Sequence, residues 1–150
     1  MFIACNPTDK KSSEAEPEQW IRLFNGKDLE DWIIKINKHP LGENYNNTFQ
    51  VRDSLLVTSY EGYDAFDEEF GHIFYKTPFS HYKLRVEYRI VGEQVEGDTV
   101  LTYSKPRIGG DLPEGFPLPE GTPVTSGYIA LQAESHPFEF RKVELLDLSK

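Results

Sequence analysis

The chain has 150 residues, the size of one ordinary domain, and a formal net charge of −9. An acidic surface repels phosphate backbones, so no nucleic-acid partner is expected. No run approaches the roughly 20 apolar residues that span a bilayer. The single cysteine excludes an internal disulfide and a cysteine-based zinc site. Aromatic residues make up 13% of the chain, and because they favour pleated surfaces this share favours an all-β fold.

The first 17 residues resemble the end of a bacterial lipoprotein signal followed by a flexible tether. Small Ala4 precedes Cys5, and the next residues are polar. The basic region and most of the apolar region of such a signal are absent, which a gene start placed too late would explain. Cys5 is then the predicted lipidation site, and a lipid anchor is the only expected contact with a membrane. The alternative is a chance cysteine in a disordered start.

Short segments with alternating apolar residues follow the tether, and most end at Asn, Gly, Asp or Pro. Asp53-Ser54 is predicted to turn a hairpin. No segment keeps a helical period over three turns, so residues 18–150 are predicted to form one antiparallel sandwich or jelly roll. The predicted strands are 20–24, 32–36, 48–52, 55–58, 71–75, 82–91 and 99–103, followed by two closing strands within 126–148.

Three stretches, in order, resemble one family. WIRLFNGKDLEDW at 20–32 resembles the LFNGKDLxGW opening of the 3-keto-disaccharide hydrolase family, and HYKLRVEYR at 81–89 resembles its central FxLRxEYR strand. GYIALQAESHPFEFRKVELLDL at 127–148 resembles its closing G-x-I-x-LQ and FRN motif. The resemblance implies a concanavalin-like jelly roll of two sheets. It also implies a secreted or lipoprotein bacterial enzyme, in the periplasm or at the cell surface, that cleaves 3-keto-glycosides and binds carbohydrate.

The chain departs from the family pattern in its middle. The section that follows the LRxEYR strand in the family is missing, which indicates an internal deletion near Gly97-Asp98. Loss of central strands exposes the inner face of the opposing sheet and leaves unpaired edges. The sandwich is therefore expected to be incomplete, and self-association through exposed strand edges is expected. A second departure is Glu134-Ser135, where many members have His-Gly.

The reaction that the resemblance implies needs a base near C2 of a sugar oxidised at C3. It also needs a cation or metal for the enolate, and an acid for the leaving oxygen. Glu87 and Arg89 lie two apart on one strand, so they can converge on one sugar, with Glu87 as a catalytic group and Arg89 binding substrate. The alternative is a solvated charge pair or a structural ion pair across strands.

Three further residues are candidate catalytic groups. His72 follows Gly71, which allows close backbone approach, and could act as a base or metal ligand; the alternative is a surface histidine. His136 is a candidate base with Glu134 as its orienting partner, or else both residues cap the turn.

Two more residues are candidates for substrate binding. Gln132 could donate to a sugar hydroxyl or satisfy strand ends. Arg141 could bind substrate, although its flanking Phe138 and Phe140 favour a structural anchor.

No cofactor is certain, and a divalent metal remains an alternative to a cationic side chain. The acidic residues of one loop could hold Ca²⁺, although a solvated loop explains them better. They are Asp64, Asp67, Glu68 and Glu69.

The leading hypothesis is an enzyme that cleaves 3-keto-glycosides by C2 deprotonation. A non-catalytic carbohydrate-binding jelly roll is the alternative, which exposed Trp20, Trp32 or Tyr rings on a concave face would favour. An inactive deletion variant is a third.

Overall fold

A computed structural model describes residues 17–92 and 117–149 of the chain. These residues form two antiparallel sheets packed around one apolar core, and the predicted all-β sandwich is confirmed. The strands are β1 (Ile21–Arg22), β2 (Trp32–Ile36), β3 (Phe49–Arg52), β4 (Leu55–Thr58), β5 (Gly71–Phe79), β6 (Tyr82–Ile90), β7 (Gly127–Ala133) and β8 (Phe138–Asp147). None of the described residues belongs to a helix long and apolar enough to cross a membrane.

The five-stranded sheet is organised around β8. Strand β6 pairs with one edge of β8, while β1 and β4 pair with the other edge, one after the other along its length. Strand β3 lies outside β4. The three-stranded sheet has the order β2-β5-β7.

Strict alternation gives each sheet an inner and an outer face. In β2, Trp32, Ile34 and Ile36 are buried between the sheets, while Ile33 and Lys35 point outward. Strand β7 likewise buries Ile129, Leu131 and Ala133. Because side chains in a strand alternate between faces, every second residue of these strands is available on the outside. This alternation decides which candidate site residues lie on an outer face.

The hairpin turn predicted at Asp53-Ser54 is confirmed. It joins β3 to β4, and both residues have positive φ, 49° and 62°. This is the backbone conformation that two-residue hairpin turns require.

A bulge in β8 explains why two of its residues that are three positions apart are buried on the same face. Glu87 pairs with Lys142 and Tyr88 pairs with Phe140, so Arg141 is the extra residue. Phe140 and Val143, three apart, are therefore both buried on the inner face, while Arg141 is exposed.

Strand β6 has the predicted apolar face, but that face is only partly covered. Tyr88 is 60% exposed and Ile90 is 59% exposed. The proposed deletion at Gly97-Asp98 and the predicted strand at 99–103 lie outside the described residues, as does most of the predicted tether with Cys5. Lipid attachment, the domain boundary at residue 18 and the deletion therefore stay predictions.

Two strands differ in length from expectation by more than one residue. Strand β1 is short because the backbone N–H groups of Leu23 and Phe24 both donate to the Val143 carbonyl, which turns these side chains into the core. Strand β5 continues beyond Tyr75 to Phe79, and a register shift before Pro78 accommodates the proline.

Candidate functional site

Five of the predicted site residues separate into two groups on opposite outer faces of the sandwich. Glu87, Arg89 and Arg141 lie on the outside of the five-stranded sheet, where they pair with one another or with charged residues of β8. His72 and Gln132 lie on the outside of the three-stranded sheet. Because packed sheets lie about 10 Å apart, the two groups cannot contact the same sugar ring.

On the three-stranded sheet, strand register places His72 between two polar neighbours. His72 of β5 pairs with Lys35 of β2 on one side and with Gln132 of β7 on the other. The Gln132 amide donates to the Glu134 carboxylate, 2.8 Å from nitrogen to oxygen. We call Lys35, His72 and Gln132 the polar row, with Glu134 at its margin.

The imidazole of His72 is held towards its neutral form. It is partly buried, and burial lowers its pKa from the ordinary value of 6.5. The negative charge of Glu134 opposes that shift without cancelling it. A neutral imidazole at pH 7 can accept a proton, which is the property required of a general base.

Lys35 was not among the predicted site residues, and the structure adds it. Its ammonium donates to the backbone carbonyls of Ile36, at 3.1 Å, and His39. The alternation of β2 indicates that Lys35 points outward. Its position beside His72 depends on which strand pairs with β2, which local sequence does not reveal.

His136 does not join the polar row by any contact that the structure gives. Its backbone carbonyl accepts from the Thr58 hydroxyl at 3.4 Å, and its ring lies 5.7 Å from that of Phe138. The same hydroxyl accepts from the Phe138 N–H at 2.7 Å. These contacts fit the turn-capping alternative, with His136 joining the elbow to the five-stranded sheet.

On the outer face of the five-stranded sheet, Glu87 is held by two cations. Arg141 donates to one of its carboxylate oxygens, and the Lys142 ammonium lies 3.3 Å from the other. The hydrogen bond from Arg141, followed by that from Lys142, lowers the pKa of Glu87. A carboxylate held in this way is a weaker base, which favours the structural ion-pair alternative.

Two more ion pairs follow the same strands. Arg89 pairs with Glu139 at 2.5 Å, and Arg85 pairs with Glu144 at 3.2 Å. With the pairs of Glu87 they form a cross-strand array on β6 and β8, which we call the ion ladder. Arg89 and Arg141 thus both contact carboxylates of the protein.

Two clefts also lie at this sheet. One of about 370 Å³ is lined by Tyr88 and by members of the ion ladder, including Glu87, Arg89 and Arg141. The other, of about 460 Å³, lies beside it, and Glu139 lines both. The clefts therefore lie at the five-stranded sheet, whereas the candidate proton acceptor, His72, lies on the three-stranded sheet.

The tryptophan rings do not form an open platform. Trp32 is buried, and its indole N–H donates to the Leu23 carbonyl at 3.1 Å. The guanidinium of Arg85 lies 4.1 Å from the ring centre of Trp20 and covers it.

The sequence predicted a solvated acidic loop, and that prediction is wrong for Glu69. Glu69 is buried and accepts from the Asp67 N–H at 2.9 Å, and Asp67 also pairs with Lys38 at 2.9 Å. No group of three or more His, Cys, Asp or Glu within residues 17–92 and 117–149 could hold a metal ion. The Ca²⁺ alternative therefore finds no ligand set among the described residues, which include the whole acidic loop.

A family model described as a 3-keto-alpha-glucoside-1,2-lyase-like domain matches residues 19–116, well over half of the chain. The matched range includes the opening motif and strand β6, and it ends before β7 and β8. No curated protein and no solved structure matches the chain. From the family match, together with the two-sheet antiparallel fold, the chain belongs to the 3-keto-alpha-glucoside-1,2-lyase-like domain family.

Proposed function

We propose that the protein cleaves 3-keto-glycosides by removing the C2 proton, with His72 as the general base. The observation that carries the proposal is the environment of His72. The side chain is partly buried and its pKa is lowered, yet it lies on an outer face that a sugar can reach. Family membership supports the reaction class, and the polar row supports its assignment to this face.

The chemistry is an elimination. The ketone at C3 acidifies the C2 proton, and the neutral imidazole of His72 accepts it. The electron pair of the C2–H bond moves towards the ketone and gives an enolate at the C3 oxygen. When the carbonyl re-forms, the C1–O bond breaks and a C1–C2 double bond results. The imidazolium or water returns a proton to the leaving oxygen, and water can then add to the unsaturated keto-sugar.

The other members of the polar row have distinct roles. Lys35 has three N–H donors, of which two contact backbone carbonyls, so one remains to stabilise the enolate oxygen. Gln132 orients a sugar hydroxyl, and Glu134 holds the Gln132 amide in place. The negative charge of Glu134 also stabilises the imidazolium that forms in the reaction.

A matched pair of substitutions tests this assignment. We expect His72→Asn to lower the rate of aglycone release from a 3-keto-glucoside by about 10²–10⁴-fold, the usual contribution of a general base. Glu87→Gln, on the opposite face, is expected to change the rate by less than about threefold, because Glu87 is engaged in ion pairs. Circular dichroism and thermal melts confirm that both variants fold. Loss of activity in Glu87→Gln with retention in His72→Asn would move the site to the five-stranded sheet.

An experiment with a chelator tests whether a metal ion, instead of Lys35, stabilises the enolate oxygen. Protein treated with EDTA is expected to keep its activity. Activity that is lost with EDTA and restored by a divalent metal would assign enolate stabilisation to a metal ion instead.

The clefts favour a second candidate, a carbohydrate-binding module without catalysis. The exposed ring of Tyr88 lines the cleft of about 370 Å³, beside charged groups that can bond to hydroxyls. Calorimetry with unoxidised disaccharides separates the two candidates. Binding that Tyr88→Ala abolishes, together with no release from the keto-sugar, would favour this module and leave the family assignment intact.

A further inference from the structure

An apolar row lies directly beside the polar row on the same outer face. Ile33 of β2 pairs with Phe74 of β5, which pairs with Ala130 of β7. These residues are two positions along their strands from Lys35, His72 and Gln132. Since strand residues two apart share a face, the two rows share this surface.

The outer face of an antiparallel sheet is normally polar, and the apolar row departs from that pattern. Ile33 is 42% exposed, Ala130 is exposed, and Phe74 is partly exposed. Tyr128, on the same face of β7, is 55% exposed and extends the surface past the apolar row. Contiguous apolar residues beside polar ones are typical of a ligand-binding surface.

The spacing of the rows fits the geometry of a glycoside. Two residues along a strand span about 6.6 Å, which is near the width of a sugar ring. The rings of His72 and Phe74 lie 5.7 Å apart, with 24° between their planes. A sugar whose C2 proton lies over His72 can therefore place its C1 substituent over Phe74 and Ile33.

We propose that this face selects 3-keto-glucosides with an apolar, ring-shaped aglycone, which packs on the apolar row. The proposal rests on the proposed function, because His72 fixes where the sugar lies. Burial of the aglycone against Ile33 and Phe74 supplies binding energy next to the bond that breaks, and the polar row holds the sugar.

The test compares benzyl and methyl 3-keto-glucosides, which both leave as alkoxides and differ in the apolar ring. We expect Phe74→Thr to lower kcat/KM for the benzyl compound about tenfold and Ile33→Thr about threefold, because each substitution removes apolar contact with the benzyl ring. For the methyl compound both variants are expected to stay within about twofold of the unmodified protein. Ile21→Thr is the matched control, since Ile21 is 39% exposed on β1 of the other sheet.

Equal losses for both compounds, or no loss for either, would overturn the aglycone assignment while leaving His72 chemistry intact. If the unmodified protein cleaves neither compound, the proposed function fails, and saturation-transfer NMR with unoxidised benzyl glucoside decides the subsite. Transfer to the benzyl protons that Phe74→Thr removes would support an apolar subsite, and its absence would overturn one. Sedimentation that shows a dimer dissociating in Phe74→Thr and Ile33→Thr would assign the surface to self-association instead.

Discussion

The outer faces of the two sheets carry similar polar side chains in different electrostatic states. On the five-stranded sheet, Glu87 contacts two cations and Arg89 contacts a carboxylate. On the three-stranded sheet, the cross-strand neighbours of His72 are the neutral amide of Gln132 and Lys35, whose ammonium donates to backbone carbonyls and not to a carboxylate. A group engaged in ion pairs has little basicity left, whereas a partly buried histidine remains a proton acceptor. The comparison shows that polar residues on a strand do not identify a site until their partners are known.

The pH dependence of the reaction is the largest effect that separates the faces. Because the pKa of His72 lies below 6.5, kcat/KM is expected to stay level down to about pH 6.5 and to fall about tenfold per unit below the lowered pKa. In Glu134→Gln this decline should start at still lower pH, since Glu134 raises the pKa of His72. Initial rates from pH 4.5 to 8 measure both. A decline that starts above pH 7 would contradict the neutral-histidine mechanism.

The same shift gives a stability effect with a definite sign. Below about pH 6.5 the unfolded state binds a proton at His72 that the folded state binds only at lower pH. The free energy of unfolding should therefore fall as the pH drops through the window between these two pKa values. This component is expected to disappear in His72→Asn.

The next largest effect is expected at Gly71, which contacts the core and precedes His72 of the polar row. A Cβ at Gly71 would lie 2.5 Å from the Cδ1 atom of Ile36 and 3.4 Å from the Phe49 ring. We expect Gly71→Ala to lower the free energy of unfolding by about 1–3 kcal/mol, the usual cost of overpacking, and to displace His72. Urea denaturation and aglycone release measure the two consequences.

Gly127→Ala is the matched control in the same sheet, because its nearest atom would be 3.9 Å away and no positive φ is involved. It is expected to leave stability and rate nearly unchanged. Equal effects of the two substitutions would show that the space around Gly71 does not matter.

The smallest effect is expected from the ion ladder. Arg89→Ala, Glu139→Gln and the double variant should each shift the melting temperature by less than about 3 °C, because exposed pairs contribute little. The coupling between the two positions should weaken in high salt. If either substitution greatly reduced aglycone release, the assignment of chemistry to the three-stranded sheet would be wrong.

Local pattern was sufficient to locate the described strands, though not the ends of β1 and β5, and it was not sufficient for the grouping of site residues. Alternation predicted β2, β6 and the inner residues of β7, and Asp53-Ser54 predicted the hairpin, because these depend on neighbouring residues. The pairing of Lys35 with His72, and of Glu87 with Lys142 across a bulge, depends on contacts between distant segments. A sequence read along one chain contains no direct signal for these contacts.

Strand β8 also has a consequence for how the protein forms. It is the strand that β1, β4 and β6 all pair with, and it comes last among the described strands. During synthesis, those earlier strands cannot join into their sheet until the residues of β8 have been made. Such long-range pairing makes folding slow and leaves strand edges open in the meantime. The order of strands along the chain therefore exposes the nascent protein to aggregation until its closing segment arrives.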